Sequence, residues 1–270
     1  MNVRKATTCD LPAIKLLWQE VFEDSEAYII CFINHFGVEN CYICEINSEI
    51  TAMAFAISTN LSQFSIKYIY ACATKKQYRG KGIMKNLLEI IYIDACHTDD
   101  VAGIFLRPAN NSLTKYYQTL GFIDFFYRNE LIFKRQTTNN RADASYRPLP
   151  TAHFIPFTIY HKKRIQKLKN HYFINWDVGF FRFLYETETR FCEFENTIFS
   201  FRDNGNVIIV DELLGELSES EVAHFLLDTY SGATKINVYF SGNEICYGQV
   251  KWCPFYNKLF SSGYFAFAIE

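Results

Sequence analysis

Proline and glycine are scarce, six and twelve in 270 residues, and no tract repeats them, so a fibrous or low-complexity chain is excluded. Excess charge of either sign is missing too. Lys plus Arg number 27 against 29 for Asp plus Glu, a formal net charge of -2, which leaves no bulk field for wrapping nucleic acid or lying on an anionic membrane. Any basic site must be local. Long apolar runs are absent: the most apolar stretch, Ile50 to Ile57, is far too short to span a bilayer, and Met1 to Asp10 has no signal-like apolar core. Nine cysteines, an odd number scattered through apolar contexts, read as reduced thiols and not as a disulfide framework, which predicts a cytoplasmic protein. What the chain does have is hydrophobic residues, 49% of the total with 17% aromatic, enough for a large core.

The pattern along the chain predicts a mixed α/β fold in two units, 1–136 and 151–270, joined by a polar linker at 137–150. Residues 2–7 read as a strand, and Asp10 with Pro12 opens a helix. A second helix runs from about Ser25 to Gly37, and Cys41 to Ile46 and Ile50 to Thr59 form a hairpin around Asn47-Ser48. Phe64 to Thr74, then Gly82 to about Ala95, then Val101 to Leu106 make a β-α-β unit, followed by a short helix over Ser112 to Leu120 and a strand over Phe125 to Lys134. The second unit repeats strand, helix and strand. It has helices near Ile159 to Leu168 and Val178 to Tyr185, and strands at Glu193 to Phe201 and Asn206 to Val210. A helix capped by Ser218 and Glu221 and strands at Lys235 to Phe240 and Tyr264 to Ile269 complete it.

The stretch with the most chemistry is Tyr68 to Leu88. A strand runs into Gln77-Tyr78-Arg79-Gly80-Lys81-Gly82, and an amphipathic helix begins at once. Free amides at a helix N-terminus form an anion site, and glycines let a phosphate approach the backbone. Lys75, Lys76, Arg79, Lys81 and Lys85 add a local positive field. A dinucleotide fingerprint would need glycine where Lys85 stands, and a P-loop would need Ser or Thr where Gly82 stands, so both are excluded.

Gln77, Gly80 and Gly82 match the acetyl-CoA signature of the GCN5-related N-acetyltransferases (GNAT), which residues 2–135 resemble in element order. The segment Asn110 to Phe122, with Tyr116-Tyr117 and Gly121-Phe122, is similar to a later family segment. The resemblance implies a GNAT fold, acetyl-CoA as donor cosubstrate and no metal. It implies pantetheine contacts along Cys72, Ala73 and Thr74, and a pyrophosphate held by the amides of Arg79, Gly80, Lys81, Gly82, Ile83, Met84 and Lys85. Asn110 would touch the cofactor, and Tyr117 would protonate the leaving thiolate. The implied reaction is acetyl transfer to a primary amine of a small molecule or peptide by direct attack, with a non-catalytic CoA-binding protein as the alternative. Many family members carry a basic Glu on the strand before the glycine loop, where this chain has Tyr68 and Tyr70. Glu23, Asp24, Glu45, Glu49 and the carboxylate at Glu270 are other acids, and no base is assigned.

Cys41 and Cys44 have metal-ligand spacing, but three residues apart on a strand they face opposite sides and read as core. The histidines, His35 among them, show no ligand spacing, and Lys162, Lys163 and Arg164 with Lys167 and Lys169 read as a solvated basic face. In the second unit, the residues Asp211 to Leu217 before the capped helix carry carboxylates that would repel a pyrophosphate. The resemblance to tandem family members implies a degenerate GNAT-like copy, with an unrelated α/β accessory domain as the alternative, and acids such as Glu186 and Glu188 bias its surface negative.

Overall fold

The computed structural model describes residues 1–98, 100–135, 152–256 and 260–268. The linker expected at 137–150 and the carboxylate at Glu270 lie outside the described residues.

The first half follows the predicted order. Strand β1 (Asn2–Lys5) leads to α1 (Leu11–Phe22) and α2 (Glu26–Phe36). Asp10 stands at the N-cap of α1, but its carboxylate takes Arg4 at 2.8 Å and the Thr7 amide at 2.8 Å instead of capping the helix. The α2 cap is conventional, Ser25 Oγ accepting the Tyr28 amide. Strands β2 (Cys41–Ile46) and β3 (Glu49–Leu61) form a hairpin whose turn residues Asn47 and Ser48 both take positive φ, as a two-residue type I′ connection requires. After β4 (Phe64–Thr74) come α3 (Ile83–Cys96), β5 (Val101–Leu106), α4 (Asn111–Thr119) and β6 (Ile123–Lys134).

The second half contributes β7 (His153–Phe154), α5 (Phe157–Leu168), β8 (Ile174–Asn175), α6 (Val178–Glu186) and β9 (Arg190–Phe194). Then follow β10 (Thr197–Asp203), β11 (Val207–Leu214), α7 (Glu219–Thr229), β12 (Lys235–Ser241) and β13 (Ile245–Trp252). The strand expected over Glu193 to Phe201 is broken by a turn at Glu195, whose φ is positive. A larger departure lies near the end. The expected strand at Tyr264 to Ile269 reduces to single bridges at Gly263 and Tyr264, while β13 was not anticipated. Its sequence, ICYGQVKW, does not alternate, because the strand is central and largely buried, and its backbone bulges on either side of Gly248.

Most strands join one sheet in the order β1-β2-β3-β4-β5-β13-β6-β12-β11-β10-β9-β7, with β8 attached to β3. Only β4 with β5 and β11 with β12 run parallel. The order is nearly palindromic. Each half presents a meander and a parallel crossover, and the final strand of each half pairs with the other half: β13 with β5, β6 with β12. The expected units 1–136 and 151–270 therefore share one sheet.

The sheet faces define the cores. Cys41 lies in a large core with α1, α2, α5 and α6, and Cys44 lies in a separate one beneath α3 and α4, so the two thiols do diverge. The larger core joins Trp18, Phe32, Phe55 and Tyr68 to Trp176, Phe181 and Phe265. A third, smaller core lies under α7. One cysteine pair departs from the reduced expectation: Cys96 at the end of α3 and Cys253 just after β13 form a disulfide across a Cα separation of 5.4 Å. A pairing of residues 157 apart leaves no local sequence signal.

A chain ended at residue 136 loses β13 from the middle of the sheet and Trp176, Phe181 and Phe265 from the core. Each such aromatic is worth about 3 kcal/mol or more, against a total stability of about 5–15 kcal/mol. The truncated chain should show no cooperative melt by circular dichroism. A cooperative transition near that of the full chain would contradict the shared-core account.

Candidate functional site

The site grows from β4. Its pairing with β5 runs from Ser65 with Val101 to Tyr68 with Phe105 and then stops, so Ile69 to Thr74 part from the neighbouring strand. On its other side β4 carries one extra residue relative to β3: Tyr70 faces Phe55 and Ala73 faces Met53. The bulge coincides with Ala71, held at φ 50°. Together, parting and bulge leave the backbone at Cys72, Ala73 and Thr74 without a ladder partner across β5.

Beyond Thr74 the loop is anchored by its first residues. The Lys75 amide donates to the Thr51 carbonyl at 2.9 Å, and the Lys76 amide donates to Glu20 at 3.2 Å. Glu49 accepts from Lys75 Nζ at 2.6 Å and from the Tyr78 hydroxyl at 2.9 Å, and these bonds hold its carboxyl below the usual range. Lys75 is thus engaged, while Lys76, Arg79, Lys81 and Lys85 remain at the exposed rim. Arg79 Nε donates to the Thr74 carbonyl at 3.0 Å, and Lys81 lies over the Tyr78 ring.

Gly80 and Gly82 both take left-handed φ, 76° and 74°, and a Cβ built on either meets nothing within 4 Å. Gly82 occupies the N-cap of α3 and supplies no side-chain bond to the helix amides. Ile83, Met84 and Lys85 therefore bring first-turn amides, together with the positive end of a 14-residue helix, to an open hollow. Helix α7 stands in the equivalent place of the second half and differs at this point. There Ser218 and Glu221 form a capping box, with the Glu221 carboxylate on the Ser218 amide at 2.8 Å, so the chain fills its own anion site.

Tyr117 lies on α4, buried against Tyr116 and Phe122, with the Cys72 thiol close enough to act on its hydroxyl. Burial, then the neighbouring Cys72, holds the phenol well above its ordinary value, so it stays protonated near neutrality. Burial also pushes the Cys72 thiol up to about 12, with the Tyr117 hydrogen bond partly opposing the rise. Asn110 is the N-cap of α4, its Oδ1 accepting the Leu113 amide at 3.0 Å on an exposed surface. The structure thus brings Cys72 and Tyr117 together and places Asn110 at a helix start.

The opposite face of β4 carries Tyr68 and Tyr70. The Tyr70 and Tyr28 hydroxyls are 3.1 Å apart. Burial raises both phenols, Tyr28 to about 12, and the charge of Asp24 adds to each rise. Glu45 is held by Arg4, while Asp24 accepts the Trp18 indole at 2.8 Å. Tyr28 lines a cavity of about 450 Å³ between α2, α6 and β11, with walls from both halves that include Phe183, Glu186, Arg202 and Asp211. Sequence reasoning missed this cavity because its walls come from segments far apart in the chain. It also missed Cys31 and His35, which lie one helical turn apart on α2 and meet Glu186 of α6.

A family model described as an acetyltransferase (GNAT) domain matches residues 2–123. Over those residues the chain is similar to the GNAT family. Solved structures extend the GNAT likeness over the whole fold. A GCN5-related N-acetyltransferase from Anabaena variabilis superposes with a TM-score of 0.69 at 14% identity, covering 93% of this chain and 71% of its own. One from Kribbella flavida gives 0.67 at 14% identity, covering 93% and 69%, and a conserved protein of Enterococcus faecalis gives 0.71 at 13%, covering 93% and 72%. At these identities the likeness is one of fold. No curated protein matches the sequence. Among the described residues, no helix is long and apolar enough to cross a membrane.

Gly82→Asp tests the GNAT loop. The introduced side chain adds left-handed backbone strain of about 1–2 kcal/mol and sets a carboxylate beside the free first-turn amides, where it would repel a pyrophosphate. Affinity for CoA, measured by calorimetry, should fall more than tenfold, about 1.4 kcal/mol, while the fold survives. Unchanged affinity in the folded variant would remove CoA from this loop.

Proposed function

We propose that the protein transfers an acetyl group from acetyl-CoA to a primary amine by direct attack in a ternary complex. The observation that carries this reading is the parting of β4 from β5 at Tyr68, with the Ala71 bulge and the open N-terminus of α3 immediately beyond it. An extended pantetheine arm needs backbone donors and acceptors, which Cys72, Ala73 and Thr74 offer along the unpaired edge. A pyrophosphate needs amides and positive charge, which Arg79 to Lys85 offer. Asn110, at the start of α4, would border the cofactor.

Tyr117 is assigned the proton for the departing thiolate. A thiolate with a solution pKa of about 8.5 leaves more readily beside a donor that stays protonated, and a buried phenol meets that condition. The acceptor would enter on the Tyr70 side, through the cavity that Tyr28 lines, where Glu188 from the second half would favour a cationic amine. The second half is assigned as a degenerate GNAT-like copy that walls this entrance and has lost its own anion site.

The alternative, a CoA-binding protein without catalysis, is favoured by one observation: β4 offers phenols at Tyr68 and Tyr70 where a carboxylate base would stand. Thiol release separates the two readings. Given acetyl-CoA and a panel of polyamines, aminoglycosides, amino acids and peptides, the full chain should release CoA thiol with at least one acceptor. Silence across the panel would favour the binding protein. Tyr117→Phe should lower turnover while leaving CoA affinity nearly intact, because only the transition-state proton is removed. An equal loss of CoA binding would make Tyr117 a packing residue.

A further inference from the structure

Cys31, His35 and Glu186 converge at one wall of the interhalf cavity. Cys31 and His35 lie four residues apart on α2, and Glu186 closes the last turn of α6. His35 Nε2 stands 3.4 Å from a Glu186 oxygen, and Cys31 Sγ stands 3.8 Å from the same oxygen. One donor atom from each residue falls within 4.8 Å of the others. Ligand bonds of about 2.0–2.3 Å at tetrahedral angles separate neighbouring donors by roughly 3.3–3.8 Å, so the cluster needs little adjustment to hold a metal ion.

The surroundings orient each donor. His35 Nδ1 lies 2.9 Å from the Cys31 carbonyl, to which it can only donate, and this contact turns Nε2 toward Glu186. Arg182 Nε donates to the other Glu186 oxygen at 2.8 Å, leaving the first oxygen for the cluster. The Phe183 ring packs 5.5 Å from His35 and fixes the imidazole plane. The Cys31 thiol donates to the Glu186 oxygen that His35 Nε2 also approaches, so a metal ion seated among the three would displace the thiol proton and take the place of these contacts.

We infer that Cys31, His35 and Glu186 form a divalent transition-metal site of the zinc type, clipping α2 of the first half to α6 of the second. A thiolate, an imidazole and a carboxylate make a borderline donor set that suits Zn²⁺ and excludes Mg²⁺ or Ca²⁺, which favour all-oxygen shells. Three protein ligands leave a fourth position, and Cys31 and Glu186 both line the cavity, so that position opens toward it. The site rests on these residues alone and not on the acetyl-transfer reading.

Cobalt reports on it directly. Full-length protein stripped with chelator and titrated with Co²⁺ should develop a near-ultraviolet thiolate-to-cobalt band saturating at one equivalent, which Zn²⁺ then abolishes, and Zn²⁺ should raise the melting temperature. Cys31→Ser should lose the band, and His35→Gln should weaken Zn²⁺ binding at least tenfold, with far-ultraviolet circular dichroism unchanged in both. If either variant is misfolded, Glu186→Gln replaces it, with the same tenfold loss expected. Absence of the band, or a band that survives Cys31→Ser, overturns the assignment.

Discussion

Insertion of β13 between β5 and β6 places a backbone ladder from the second half in the middle of the first half's sheet, and the other interhalf contacts follow from it. Leu106, Phe105, Ile104 and Gly103 of β5 face Gln249, Val250, Lys251 and Trp252. The approach is close enough that a Cβ on Gly103 would meet the Lys251 carbonyl at 2.5 Å. Once β13 is so placed, residues 263–268 run on into the larger core, where Phe265 contacts Tyr68, Phe105 and Phe126. The same strand grips α3. Lys251 pairs with Glu89 at 2.7 Å, Tyr92 donates to the Trp252 carbonyl at 3.0 Å, and Cys253 is joined to Cys96. The helix whose N-terminus forms the anion hollow is thus held along its other end by the second half.

Apart from the short β8 and from α4, which has no counterpart between β12 and β13, the halves follow the same order of strands and helices, and they differ around the parallel crossover. Both keep the parallel crossover, and both keep the bulge in its first strand: Ala71 in β4, Asp211 in β11. Past the end of that strand the first half runs through eight residues with two left-handed glycines to an uncapped helix, while the second reaches its helix after four and caps it at once. Helix dipole and amide supply are the same in kind at both places. Occupancy by the chain's own Ser218 and Glu221 makes the difference.

Local chemistry was legible and distant pairing was not. The Asn47-Ser48 hairpin, the Ser218 capping box and the strand, glycine loop and helix around Gly82 each depend on neighbours within a few residues, and each was found where composition and spacing put it. Tyr117 was placed by its distance from Gly121-Phe122. Its contact with Cys72 depends on how α4 lies across β4, which no spacing encodes. β13 escaped notice because a strand in the centre of a sheet loses the alternation that marks a half-exposed one. Cys31 and His35 carried a helical i, i+4 signal, but its third member lies some 150 positions away, and histidines scattered through a chain read as surface until the helices bring them together.

The second half closes its slot by more than the capped helix. By the bulge register, Glu212 stands where the first half has Cys72. It is fully buried, accepting Arg164 Nε at 3.0 Å and the Tyr160 hydroxyl at 2.8 Å. Arg164 Nη1 goes on to the Ile174 carbonyl of β8, and β8 pairs with β3. An ion pair withdrawn from water gains little net stability over apolar packing, but removing one partner strands a buried charge at a cost of about 3–5 kcal/mol. That is a large share of what holds a protein folded. A single substitution cannot open this region to a ligand: the residues that fill it also tie α5 to the first half's sheet, so making room there would mean giving up part of the contact that joins the halves.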